Sequence, residues 1–172
     1  TVNIIVNPLP VVSAGADQSI CNGSSVTLTA TGATGYTWTP GGQTTQTITV
    51  STAGTYGVTV TDTAGCSGSI NVTALANPLP VADFNSTPTC IGNPMNFTDG
   101  SSIISGSISG WSWDFGDGTS SLLQNPSHIY SSSNNYTVTL TVTSASGCTS
   151  VVTHSITINP LPVADFSLNN IC

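Results

Sequence analysis

The sequence predicts an all-β protein, built as antiparallel β-sandwiches in tandem and joined by Asn-Pro-Leu-Pro linkers. Three observations predict it. Apolar residues alternate with threonine at period two along most of the 172-residue chain. The tetrapeptide Asn-Pro-Leu-Pro occurs at 7–10, 77–80 and 159–162, with Asn-to-Asn spacings of 70 and 82 residues. The sequences around successive linkers also repeat: Val81-Ala82-Asp83-Phe84 leads to Cys90, and Val163-Ala164-Asp165-Phe166 leads to Cys172. Repeats of this size are domains in an array, not turns of a solenoid.

The repeat divides the chain. Residues 1–6 are expected to be the last strand of a preceding domain, because Val2-Asn3-Ile4-Ile5-Val6 resembles Ser69-Ile70-Asn71-Val72-Thr73 and Ser155-Ile156-Thr157-Ile158. A linker (7–10), a sandwich (11–76), a linker (77–80), a second sandwich (81–158) and a linker (159–162) follow. Residues 163–172 read as the first strand of a further domain. Two prolines in each linker fix φ and hold their predecessors extended, so the linkers are short, semi-rigid spacers.

Each strand is argued from its own alternation. In the first sandwich Val26, Leu28 and Ala30 share a face, as do Tyr36 and Trp38, Ile48 and Val50, Tyr56, Val58 and Val60, and Ile70, Val72 and Ala74; threonine or asparagine fills the opposite face. In the second, Met95 and Phe97 form a short strand, Trp111, Trp113 and Phe115 another, and Tyr136, Val138, Leu140 and Val142 a third. The last strand runs from Val152 to Ile158. Glycine-rich turns separate these runs. Several short strands with an aromatic strand at the centre argue a sandwich, with a closed barrel as the alternative.

Composition excludes several functions. There is no Lys, Arg or Glu, and seven aspartates give a net charge of −7. Nucleic-acid binding needs cations to displace phosphate counterions, so nucleic acid is excluded as a partner. Anionic membrane surfaces are excluded likewise, and no run approaches the ~20 apolar residues of a membrane span. Without lysine, no Lys–Asn isopeptide lock can form, so a covalent lock must use cysteine. Cys21 and Cys66 hold the same relative places in the first repeat as Cys90 and Cys148 in the second. That equivalence predicts the disulfides Cys21–Cys66 and Cys90–Cys148, each worth roughly 4 kcal/mol in the chain-entropy model. Cys172 is left for a downstream or intermolecular partner. Disulfides imply an oxidising, extracellular location. There is no Cys-x-x-Cys and no histidine cluster, which argues against a metal–thiolate site.

Trp113-Asp114-Phe115-Gly116-Asp117-Gly118-Thr119-Ser120, Asn125-Pro126-Ser127-His128-Ile129-Tyr130 and Tyr136-Thr137-Val138-Thr139-Leu140-Thr141-Val142 occur in that order. Together they resemble the polycystic-kidney-disease (PKD) repeat over about residues 81–158. The resemblance implies an Ig-like sandwich of the kind found in surface proteins and as an accessory module of secreted hydrolases. Residues 11–76 resemble a bacterial Ig-like repeat through Cys21-Asn22-Gly23, Tyr36-Thr37-Trp38-Thr39-Pro40, Ala53-Gly54-Thr55-Tyr56 and Gly65-Cys66. Strings of such repeats are similar to those in very large surface proteins of Bacteroidota, where they act as stalks or adhesive fibres.

Candidate sites are few. Asp114 and Asp117 lie in the PKD-like motif, whose role is a tight turn capped by carboxylate–amide hydrogen bonds. With Asp99 they are the candidate Ca²⁺ ligands, and no other cofactor is expected. His128 and His154 are expected to be packed histidines, the latter at the rim of an apolar face. Tyr56 and Tyr136 are placed for tyrosine corners, with the hydroxyl bonded to backbone. Asp62-Thr63-Ala64 makes Thr63 a candidate O-glycosylation site. Trp38, Trp111 and Tyr130 would stack on sugars if their rings faced solvent, although parity points the tryptophans inward. No nucleophile elbow, phosphate loop or Cys–His arrangement occurs, so no enzyme is expected. The leading expectation is a structural segment of an extracellular stalk, adhesin or filament, with neighbouring repeats and surface glycans or proteins as partners. The alternatives are a carbohydrate- or protein-binding accessory module of a secreted hydrolase, and a subunit that self-assembles by donor-strand exchange through residues 1–6.

Overall fold

The computed structural model describes residue 3 and residues 6–166. The chain divides into two compact units, Thr1–Pro78 and Leu79–Cys172. The division falls inside the second Asn-Pro-Leu-Pro linker. Both units are β-sandwiches.

In the first unit the strands are β1 (Gln18–Cys21), β2 (Val26–Thr29), β3 (Gly35–Thr39), β4 (Thr47–Val50), β5 (Gly54–Thr61) and β6 (Ser67–Asn77). One sheet has the order β1-β6-β5-β3, and β2 pairs with β4 in the other. The period-two pattern sets the register: Leu28 faces Ile48, Trp38 faces Val58 and Tyr56 faces Val72. Their apolar sides meet in one core of Leu28, Trp38, Ile48, Val50, Val58, Val60 and Val72, while the threonines stay outward. Full burial of such side chains contributes about 1.5–3 kcal/mol each. Trp38 is wholly buried, and its Nε1 donates to the Thr45 carbonyl at 3.0 Å, so no polar group is stranded. Ile70 keeps the face of Val58 and Val72 but is 38% exposed. The covering sheet has two strands of four residues, too short to shield the whole eleven-residue β6.

The second unit comprises β7 (Phe84–Ser86), β8 (Thr89–Cys90), β9 (Pro94–Asp99), β10 (Ile108–Asp114), β11 (Ser120–Ser121), β12 (Ser127–Ile129), β13 (Asn135–Ser144) and β14 (Thr149–Asn159). A five-stranded sheet, β11-β10-β13-β14-β8, packs on a three-stranded one, β12-β9-β7. Phe84, Met95 and Phe97 from the smaller sheet meet Trp113, Val138, Leu140 and Val142 from the larger. Phe84 and Trp113 are in edge-on contact at 5.0 Å between ring centroids. The last strand begins at Thr149, three residues earlier than the apolar pattern indicates, because β14 follows β13 through an unbroken ladder.

Two features common to the units bear on the site. Tyr56 and Tyr136 both form tyrosine corners, donating to the carbonyls of Thr52 (2.8 Å) and Ser132 (3.1 Å), four residues upstream. The short strands β1 and β8 run parallel to the last strand of their own unit, with Cys21 level with Asn77 and Cys90 level with Asn159.

This topology overturns the expected disulfides. Cys66 and Cys90 are free thiols, and Cys21 and Cys148 are disulfide-bonded. Cys66 immediately precedes β6, whereas Cys21 lies beside its far end. At ~3.3 Å per residue the eleven-residue β6 holds them about 36 Å apart. Cys148 and Cys90 lie at opposite ends of β14 in the same way. A disulfide needs Cα atoms within about 7 Å. The repeat correctly marks the cysteines as equivalent, but equivalence does not place them side by side. Cys172 lies outside the described residues. Residues 3 and 6, from the expected strand 1–6, are in no strand, and neither are residues 163–166; the rest of both segments lies outside the described residues.

Candidate functional site: the Asp-Phe-Gly-Asp-Gly turn

The PKD-like motif begins where β10 ends. Trp113 and Phe115 point into the core, and between and beyond them the chain must reverse. Gly116 (φ 77°) and Gly118 (φ 89°) supply the left-handed conformations the reversal requires. At Gly116 glycine is needed for a second reason: an added Cβ would overlap the backbone carbonyl oxygen of Thr137 in β13. The two aspartates hold the turn. Asp114 Oδ1 accepts from the Gly116 amide at 2.9 Å, and Asp117 Oδ1 accepts from the Thr119 amide at 3.0 Å and from its hydroxyl at 2.6 Å.

The second oxygen of Asp117 lies 2.7 Å from His128 Nε2. That ring stacks on Phe115, with centroids 4.3 Å apart and planes 3° apart, and meets Tyr130 edge-on. Tyr130 is buried and donates its hydroxyl to the Phe115 carbonyl at 3.0 Å, tying β12 back to the turn. Burial opposes the charge of Asp117, but the hydrogen bonds from Thr119 and His128 outweigh it and pull its pKa below the usual 3.8. Burial, then the carboxylate of Asp117, holds the Tyr130 hydroxyl protonated far above the ordinary phenol range.

These directions decide the chemistry. A carboxylate acting as a general acid needs a raised pKa, and that of Asp117 is lowered. A hydroxyl–imidazole–carboxylate relay needs the hydroxyl and the carboxylate on opposite ring nitrogens. Here Thr119 Oγ1 (3.4 Å) and Asp117 Oδ2 both approach Nε2. The network therefore ties a turn to a core and carries no proton from one side to the other.

Asp99 lies elsewhere, at the end of β9. Its Oδ2 accepts from Trp111 Nε1 at 2.7 Å and Gln124 Nε2 at 3.1 Å, and its Oδ1 from the Ser101 amide at 3.0 Å. Burial is again outweighed, by hydrogen bonds led by those from Ser101, so its pKa too is lowered. Asp99, Asp114 and Asp117 are not brought together. Among the described residues, no three His, Cys, Asp or Glu side chains gather to hold a metal. His154 sits where parity places it, at the rim, with its ring 4.4 Å from that of Phe84. Thr63 is exposed at the tip of the β5–β6 turn, where Asp62 Oδ1 accepts from the Ala64 and Cys66 amides. Of the sugar-stacking candidates, Trp38 and Tyr130 are buried and Trp111 is half-buried, so the first two have no open face. Sequence reasoning missed the Asp117–His128 pair and the Asp99–Trp111–Gln124 network. Both join residues 10 or more positions apart with no spacing rule. Among the described residues no helix is long and apolar enough to cross a membrane.

The comparisons fit this geometry. The PKD domain model matches residues 77–159. A microbial collagenase of Vibrio alginolyticus is 38% identical over 72 residues, which cover 41% of this chain and 9% of that protein. The chain thus spans less than a tenth of that relative's length. The PKD1 domain of the Vibrio cholerae metalloprotease PrtV is 31% identical, with 47% of this chain and 98% of that domain covered and a TM-score of 0.45. The fibronectin(III)-like modules of Clostridium thermocellum CbhA match 93% of this chain and all of theirs at 10% identity and a TM-score of 0.51, a likeness of fold alone. Residues 77–159 of the chain match the PKD domain family.

Proposed function

We propose that this chain is a non-catalytic accessory segment of an extracellular hydrolase of the collagenase and protease type, in which its sandwiches bind protein or carbohydrate and space the catalytic domain from its target. The observation that carries the reading is the match to the Vibrio alginolyticus collagenase, 38% identical over 72 residues and confined to 9% of that protein. The disulfide-bonded state of Cys21 and Cys148 supports an oxidising location. The test is retention of the chain on insoluble collagen, and on chitin and cellulose, beside a collagen-hydrolysis assay. Retention on one of these supports, without hydrolysis, is expected. No retention on any of them at ~100 μM chain overturns the binding role, and hydrolysis overturns the non-catalytic one.

A second reading, a stalk or adhesin segment, is favoured by the threefold Asn-Pro-Leu-Pro linker and the repeated Val-Ala-Asp-Phe segment. The mass of the native protein bears on it: a chain many repeats long supports a stalk, and discrete subunits near 17 kDa refute it.

A further inference from the structure

β6 and β14 are the last strands of their units, and each meets a short parallel strand only near its end. β1 pairs with Ala74–Asn77, and β8 pairs with Ile158 and Asn159. The rest of that edge differs between the units. In the first, the entering chain covers it: Gly68 lies against Pro10 and Val12, and Asp17 Oδ1 accepts from the Thr73 amide at 2.7 Å, four residues before Asn77. In the second, the entering chain stays with the other sheet. Val81 bridges to Ser102, Phe84–Ser86 pairs with β9, and Thr87 N donates to Asn96 O. Ser155, four residues before Asn159, is the counterpart of Thr73, and no aspartate caps its amide.

Alternation along β14 fixes which groups this leaves open. Ile158 N donates to Asn134 O on the β13 side, and Asn159 O accepts from Ile91 N on the other side. Successive residues of a strand turn their main-chain groups to opposite sides. Thr149, Val151, Thr153 and Ser155 therefore direct theirs away from β13, and among the described residues no strand pairs with them there. Proteins blunt such an edge with lysine, proline, a bulge or a covering segment. β14 contains no lysine and no proline, and its register with β13 runs without a bulge.

We infer that the open edge of β14 is a strand-addition site whose partner is β14 of a second copy of this chain, lying antiparallel about a two-fold axis. A second copy presents the same donors and acceptors, so every open group finds a counterpart: Thr149 with Ser155, and Val151 with Thr153, of the other copy. Each such pair exchanges both of its main-chain bonds. This register sets the two half-buried Val152 side chains face to face at the centre and covers Val151, which is 59% exposed in the single chain. Charge favours this edge over others. Each copy carries −7, but β13 and β14 hold no aspartate, so two copies meet here without opposed carboxylates. A two-fold pair also closes, because each edge is used up by the other.

The test is amide hydrogen exchange of the full chain by NMR at ~10 μM and ~1 mM, beside sedimentation equilibrium over the same range. The mass is expected to rise from 17.4 kDa toward twice that, and to fall again on dilution, which separates strand pairing from a disulfide. Exchange should slow about tenfold or more at Thr149, Val151, Thr153 and Ser155, and stay unchanged at Thr73, whose amide Asp17 already holds. Thr153→Pro removes one edge donor without touching the β13 ladder, and Val152→Lys sets like charges opposite each other. Each should keep the chain at 17.4 kDa at ~1 mM with the circular dichroism of the wild type. Val152→Lys also lowers the net negative charge, so association limited by charge repulsion alone would increase instead. A wild type that stays monomeric at ~1 mM, association that survives both substitutions, species larger than a dimer, or protection that also falls on residues 2–6 would each overturn the inference. The outcome is independent of retention on collagen or polysaccharide.

Discussion

Gly116 and Gly118 offer an internal comparison two residues apart in one turn. Both have positive φ, so an L side chain pays a similar backbone cost at each, about 1–2 kcal/mol. Part of that is offset because alanine also restricts the unfolded chain, by about 0.4–1 kcal/mol. They differ in what a Cβ meets. At Gly118 nothing lies within 4 Å. At Gly116 the Cβ would overlap the Thr137 carbonyl oxygen, with Thr137 N at 3.1 Å and its carbonyl carbon at 3.2 Å. Thr137 cannot easily yield, because it is paired to Ser155 of β14 and lies two residues from Thr139, where the ladder to β10 begins. Overpacking of this kind costs about 1–3 kcal/mol beyond the backbone term. Gly118→Ala should therefore lose about 1 kcal/mol and Gly116→Ala about 3 kcal/mol. For a domain of this size 1 kcal/mol corresponds to about 4–8 °C. The assay is thermal and urea unfolding of the full chain, with hydrogen exchange at β13 to assign the loss to the second unit. Equal losses at the two glycines, or the larger loss at Gly118, would refute the role given to Thr137.

Three further outcomes are expected. Asp99 and Asp117 are both held below the usual aspartate pKa in the folded chain, so their stabilisation is complete above the unfolded value of ~3.9 and is lost as pH falls through the folded values. Melting of the wild type should drop between pH ~5 and ~2, and Asp117→Asn should melt lower at neutral pH but drop less on acidification. Tyr56→Phe and Tyr136→Phe should each cost about 0.5–1.5 kcal/mol in urea unfolding, because each removes one hydrogen bond to a carbonyl four residues upstream without opening a cavity. Because Asp99, Asp114 and Asp117 are not gathered at one place and each already accepts an N–H or O–H donor, Ca²⁺ titration should give no heat and no rise in melting temperature; a rise that Asp114→Asn abolishes would refute this.

Most of the fold was legible because a half-buried strand writes its own period. Leu28, Trp38, Val58, Val72, Leu140 and Ile158 all lie buried where alternation with threonine places them. Strands of two or three residues carry too few positions for a period, and β8 and β11 exist because a partner strand offers free backbone groups. The turn at Gly116 was legible as chemistry, with glycine for conformation and aspartate for capping. The Asp117–His128 and Asp99–Trp111 pairs were not, because long-range side-chain pairs depend on which strand ends the sheets bring level.

The cysteines mark the boundary most clearly. The sequence alone determined an all-β tandem, the PKD-like turn, the absence of any cation, and the equivalence of Cys21 with Cys90 and of Cys66 with Cys148. Only the tertiary structure decided that the two cysteines of each unit lie at opposite ends of it, since the direction of β1 and β8 along β6 and β14 is a matter of pairing. A period records which face a residue occupies. The distance between two sulfurs depends on where along the sheet each strand is docked, which no local pattern encodes.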